Sequence, residues 1–139
     1  MSTSEARFDV FLSYAREDAD VARRLHEVLE RKGLKVFLDQ KVLPGERWVH
    51  RVEAALKAAR HFVLVVTPSY LASEYAAMEL GAALSATHHD PETRIIPILL
   101  GPLRAADLPG LLREWQAIRA EPSALDDAGE AVADALHAA

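Results

Sequence analysis

Phe62-Val63-Leu64-Val65-Val66 is an unbroken apolar run followed at once by Thr67-Pro68-Ser69. A continuous apolar strand, rather than an alternating one, is what a parallel sheet produces when helices cover both its sides. The neighbouring segments agree. Upstream, Phe8-Asp9-Val10-Phe11-Leu12-Ser13-Tyr14 reads as a first strand, rich in aromatic and branched residues. Val21, Leu25, Val28 and Leu29 then recur at helical spacing, with Asp18 and Asp20 at the start and Gly33 at the end. Lys35 to Leu38 is a short second strand, and Val49, Val52 and Leu56 share one face of a second helix.

Downstream of the central run, Ala72 to Leu84 reads as a third helix, and Ile95-Ile96-Pro97-Ile98-Leu99-Leu100 as a fourth strand. Pro97 is awkward there, because proline lacks a ladder donor and prefers edges or strand ends. Leu108 to Trp115 fits a short helix, Ala117-Ile118-Arg119 a last strand, and Ala124 to Leu136 a final helix. Strand and helix alternate throughout. The expected fold is an α/β domain with an open five-stranded parallel sheet, helices on both faces and right-handed crossovers. One domain covers residues 1–139, its core about 8–119 and its C-terminal helix about 124–137.

Composition narrows the function classes. Half the 139 residues are hydrophobic and 27% are charged, as in a soluble globular protein. A formal charge of −5, with no basic stripe, argues against direct nucleic-acid binding. The absence of cysteine excludes disulfides and thiolate chemistry. Met1 to Arg7 lacks a signal-peptide core, and the longest apolar runs are too short to span a membrane. A cytoplasmic location without membrane contact is expected. There is no asparagine, and arginine outnumbers lysine twelve to four. With the alanine richness, that usage suits a GC-rich, bacterial coding genome.

In open α/β sheets, ligands bind beyond the carboxyl ends of the strands, where the strand order reverses. For the flavodoxin-like order 2-1-3-4-5, that crevice lies between the first and third strands. Ser13-Tyr14-Ala15-Arg16 and Thr67-Pro68-Ser69 are delivered there, and the third helix, with Tyr75 and Glu79, borders it. Glu79 is the most telling of these residues. Glu74 falls in the first turn, where the helix dipole favours a carboxylate, but Glu79 sits deep in an apolar run. An unpaired charge there costs several kcal/mol or shifts its pKa, so the carboxylate is either paired internally or chemically active. The six glycines form neither G-x-G-x-x-G nor G-x-x-x-x-G-K-[ST], which excludes Rossmann and P-loop phosphate binding. Thr67-Pro68-Ser69 offers no receiver-type phosphoacceptor aspartate. His88-His89-Asp90 is a solvated loop rather than a metal site, since adjacent histidines point apart.

Phe8 to Asp18 resembles the first signature box of Toll/interleukin-receptor (TIR) domains. Leu43-Pro44-Gly45-Glu46-Arg47-Trp48 resembles the loop after their second strand, and Ser69 to Leu80 resembles the bacterial Ser-Glu, aromatic, Glu-Leu pattern. The match runs from about Phe8 to Ile118. What the resemblance implies is cleavage of NAD+ at the nicotinamide–ribose bond, by hydrolysis or cyclisation, in a bacterial antiphage system. NAD+ is then a substrate, and no cofactor or metal is expected. Catalysis falls to the glutamate four positions after an aromatic, here Glu79 after Tyr75; tryptophan is usual at the aromatic position, so Tyr75 is a departure.

Most of the remaining candidates carry two readings. Tyr14 either stacks on nicotinamide or is a strand-end core aromatic. Arg16 either neutralises the pyrophosphate or is a solvated loop arginine. Trp48 is a lid over the ligand or the anchor of the second helix. Asp39 ends a strand, and Trp115 packs. Ser69 either caps the third helix or touches the ribose. The resemblance also implies self-association with other TIR domains through the loop carrying Leu43, Pro44 and Gly45, and a sensor domain or downstream effector as a further partner. The competing reading is a non-catalytic TIR adaptor acting by TIR–TIR interaction, which has no need of Glu79. A weaker one is a base-exchange enzyme, such as a deoxyribosyl transferase, on a similar fold.

Overall fold

The computed structural model describes residues 8–38, 59–72, 92–104 and 117–137. Five parallel strands form one sheet in the order β2-β1-β3-β4-β5. They are β1 (Phe8–Ser13), β2 (Val36–Leu38), β3 (Ala59–Val66), β4 (Ile95–Leu100) and β5 (Ile118–Ala120). The described helices are α1 (Ala19–Arg31), the single turn α2 (Pro68–Leu71) and α3 (Leu125–His137). The expected strand order is therefore the observed one. The second helix, the helix of Glu79 and the segment Leu108 to Trp115 lie outside the described residues.

Strand alternation divides the buried side chains between two faces. Val10, Leu12, Val63, Val65, Ile96, Ile98 and Leu100 meet Leu25 and Leu29 of α1 and Val132 and Leu136 of α3 in one core cluster. On β1 and β3, Phe11 and Phe62 are also buried, and Phe11 stacks on Phe37 with ring centroids 5.4 Å apart. This two-sided burial is why β3 reads as a continuous apolar run. β3 begins at Ala59, three residues before that run, because Phe8 of β1 pairs with Ala59 and Val10 with His61. Backbone pairing extends the strand through Arg60 and His61, which hydrophobicity cannot reveal.

Gly33 ends α1 at φ +88, in the left-handed region where glycine carries no Cβ penalty. Leu34 N–H bonds Leu29 C=O at 3.1 Å and Gly33 N–H bonds Glu30 C=O at 3.0 Å, which together make a Schellman motif. Its apolar members, Leu29 and Leu34, are both in the core cluster.

Pro97 sits inside β4, opposite Leu64 of β3. Arg94 C=O accepts Phe62 N–H from β3, whereas Gly101 N–H donates to Ala120 C=O of β5. Alternation therefore turns the even-numbered backbone groups of β4 toward β3 and those of Pro97 toward β5. Pairing with β5 starts only at Ile98. Among the described residues, the missing N–H thus falls before β5 begins, and proline is tolerated.

Candidate functional site

The crevice expected at the strand-order reversal lies at the carboxyl ends of β1 and β3. There the two strand ends are tied by side chains. Tyr70, 2% exposed, brings its hydroxyl 3.0 Å from Ser13 Oγ, which is 1% exposed. Thr67 Oγ1 donates to Asp18 Oδ2 at 2.5 Å and accepts Tyr70 N–H at 3.1 Å. Thr67 is the N-cap of α2 and Pro68 its first helical residue, a combination that preorganises a helix start.

Thr67 caps the single turn α2, and Ser69 stands half-buried within that turn; the third helix, which Ser69 was expected to cap, lies outside the described residues. Asp18 and Asp20 stand at the start of α1 as expected, and Asp18, in the N-cap position, makes no capping bond. Its carboxylate is turned to Thr67 instead. Asp20, in the first turn of α1, pairs with Arg23 at 3.0 Å on the exposed face.

Tyr14 is half-buried and packs against the core cluster that α1 and α3 complete. Arg16 is exposed, at the head of a short 3-10 turn, Arg16–Asp18, that precedes α1. Asp18 N–H closes this turn onto Ala15 C=O at 2.8 Å. The fold thus brings Tyr14, Arg16 and Ser69 to one edge of the sheet. Glu79, Tyr75, Trp48, Leu43, Pro44, Gly45, Asp39, Trp115 and His88-His89-Asp90 lie outside the described residues. Sequence reading passed over Tyr70 and the Thr67–Asp18 bond. The one available signal was Thr67-Pro68, an N-cap followed by proline, which sets the start of the helix.

A separate polar contact holds the helices on the α1–α3 face. Arg24 grips Asp126 through Nε–Oδ1 and Nη2–Oδ2, both 2.7 Å, and also reaches Glu27 at 3.1 Å. The hydrogen bond from Arg24 holds the Asp126 carboxyl below the usual carboxylate range, and the bond to Asp126 raises the Arg24 guanidinium. Both side chains are solvent-exposed.

The model of the family described as "TIR domain" matches residues 10–136. The chain belongs to the TIR domain family. It is 34% identical over 97 residues to a probable 2' cyclic ADP-D-ribose synthase of Brachypodium distachyon, covering 68% of this chain and 41% of that protein. It is 31% identical over 113 residues to a stimulator of interferon genes protein of Magallana gigas, covering 80% of this chain and 27% of that protein. This TIR domain thus spans less than half the length of either relative. Among solved structures, the TIR domain of a Toll-related receptor from Hydra magnipapillata superposes with a TM-score of 0.66 at 26% identity. That superposition covers 81% of this chain and 83% of the other. TIR relatives therefore include both a probable 2' cyclic ADP-D-ribose synthase and a Toll-related receptor. Among the described residues, no helix is long and apolar enough to cross a membrane.

Proposed function

We propose that this TIR domain cleaves NAD+ at the nicotinamide–ribose bond, with Glu79 as the catalytic carboxylate. The observation that carries the reading is the 34% identity to a probable 2' cyclic ADP-D-ribose synthase. The crevice geometry is compatible with it. Arg16 is exposed at an edge where a pyrophosphate needs a guanidinium, and Tyr14 and Ser69 stand on the two loops that would flank the ligand.

In the proposed reaction, the glycosidic C–N bond breaks and its electron pair leaves on the nicotinamide nitrogen. Glu79 bonds the ribose hydroxyls and stabilises the positive charge that develops on the sugar. Water then attacks to give ADP-ribose and a proton, or a hydroxyl of the same molecule attacks and loses its proton to give a cyclised product. On this reading Tyr75, four positions before Glu79 in the sequence, and Trp48 would contribute to holding the substrate. Activity depends on self-association through Leu43, Pro44 and Gly45, in a cytoplasmic bacterial immune system. Glu79→Gln keeps the side-chain volume and removes the charge, so nicotinamide release falls on the order of a hundredfold or more with an unchanged fold. Release at the wild-type rate would place the chemistry elsewhere. The likeness to a Toll-related receptor TIR domain favours a second reading, a non-catalytic partner of other TIR domains. In that case neither the wild type nor the variant releases nicotinamide, while self-association persists.

A further inference from the structure

Thr67 uses one hydroxyl twice. As an acceptor it caps α2, through Tyr70 N–H. As a donor it reaches Asp18, 49 positions earlier in the chain. A cap needs only the first bond. The second takes a carboxylate standing where it would ordinarily cap α1. Asp18 makes no such bond, so its side chain is committed to the neighbouring loop. The buried Ser13–Tyr70 pair joins the same two loops at a second point. One bond between two loops acts as a hinge. Two bonds, from residues on either side of Tyr14 and Arg16, remove the rotation as well.

We propose that Thr67 is a positioning residue. Its hydroxyl, with Tyr70 as the second point of a clamp, holds the loop carrying Tyr14 and Arg16 in register with the turn at the end of β3. The consequence for turnover rests on the NAD-cleaving reading; the clamp itself does not. Asp18 accepts a charge-assisted bond, the stronger class of hydrogen bond.

Hydrogen exchange on the full chain tests the clamp when each variant is read on the loop it does not alter. Thr67→Val should speed exchange of the amides at 14–18 about tenfold or more, and Asp18→Ala should do the same at 69–71. Thr67→Ser, which keeps the hydroxyl, should restore wild-type exchange. Changes confined to each variant's own loop would overturn the clamp. With NAD+ present, Thr67→Val should lower kcat about tenfold with a smaller change in KM, and Thr67→Ser should recover most of it. Equal losses in the serine and valine variants would refute the positioning role. Absence of nicotinamide release from the wild type defeats the NAD-cleaving reading, and the exchange result then decides the clamp alone.

Discussion

The face of the sheet covered by α1 and α3 and the carboxyl edge of β1 and β3 are held together by opposite means. On the covered face, apolar side chains fill the space, and α3 approaches α1 so closely that a Cβ on Gly129 would lie 2.6 Å from Val28 Cγ1 and 2.9 Å from Val28 Cβ. At the carboxyl edge, hydroxyls, a carboxylate and a backbone N–H join two loops. Apolar packing is non-directional and scales with area, whereas hydrogen bonds fix angles as well as distances. Stability resides in the first region and the relative placement of the two loops in the second.

That division can be broken from the apolar side first. Leu25 is fully buried between the sheet and its helices, so Leu25→Ala should cost about 3 kcal/mol in chemical denaturation. A loss near zero would mean that α1 does not carry the core. Gly129→Val should cost about 2 kcal/mol by overpacking against Val28, and Val28→Ala in the same chain should recover part of it. No recovery would place the clash elsewhere. Tyr70→Phe sharpens the comparison from the polar side. It keeps the ring and removes the bond to Ser13, at a cost of about 1 kcal/mol, with a larger effect on turnover than on stability.

The smallest effect belongs to Arg24. Its pair with Asp126 is exposed and therefore screened, so Arg24→Ala should shift the unfolding midpoint only slightly, and less still at high salt. The sign with pH is fixed by Asp126, whose carboxyl is held low by Arg24. Its contribution is fully present above the ordinary carboxylate range and is lost as pH falls through the lowered folded-state value. Arg24 stays charged throughout. A difference between wild type and Arg24→Ala that grows toward acid would contradict this assignment.

The same division explains what was legible in the sequence. Apolar pattern set the order of elements: the run from Phe62 to Val66 announced a doubly covered strand, and Ile95–Leu100 matches its strand end to end. Gly33 was readable because only a left-handed residue ends α1 in that way. The start of β3 at Ala59 was not, since pairing rather than hydrophobicity extends it. At the crevice, topology alone brought Tyr14, Arg16 and Ser69 to one edge. It gave no sign that Asp18 would turn from its own helix to Thr67, because side-chain hydrogen bonds between distant loops leave no period in a sequence. Glu79 and Gly45 rest on pattern and resemblance, outside the described residues.

Nicotinamide release from NAD+, followed chromatographically across a wide dilution series of the wild-type chain, bears most directly on the central claim. The account predicts nicotinamide together with ADP-ribose or a cyclised product, a specific activity that rises with protein concentration, and loss of that rise in Gly45→Arg with folding retained. No nicotinamide above the enzyme-free blank at any concentration, from a folded and self-associating chain, would contradict it and leave a TIR domain that acts by association alone.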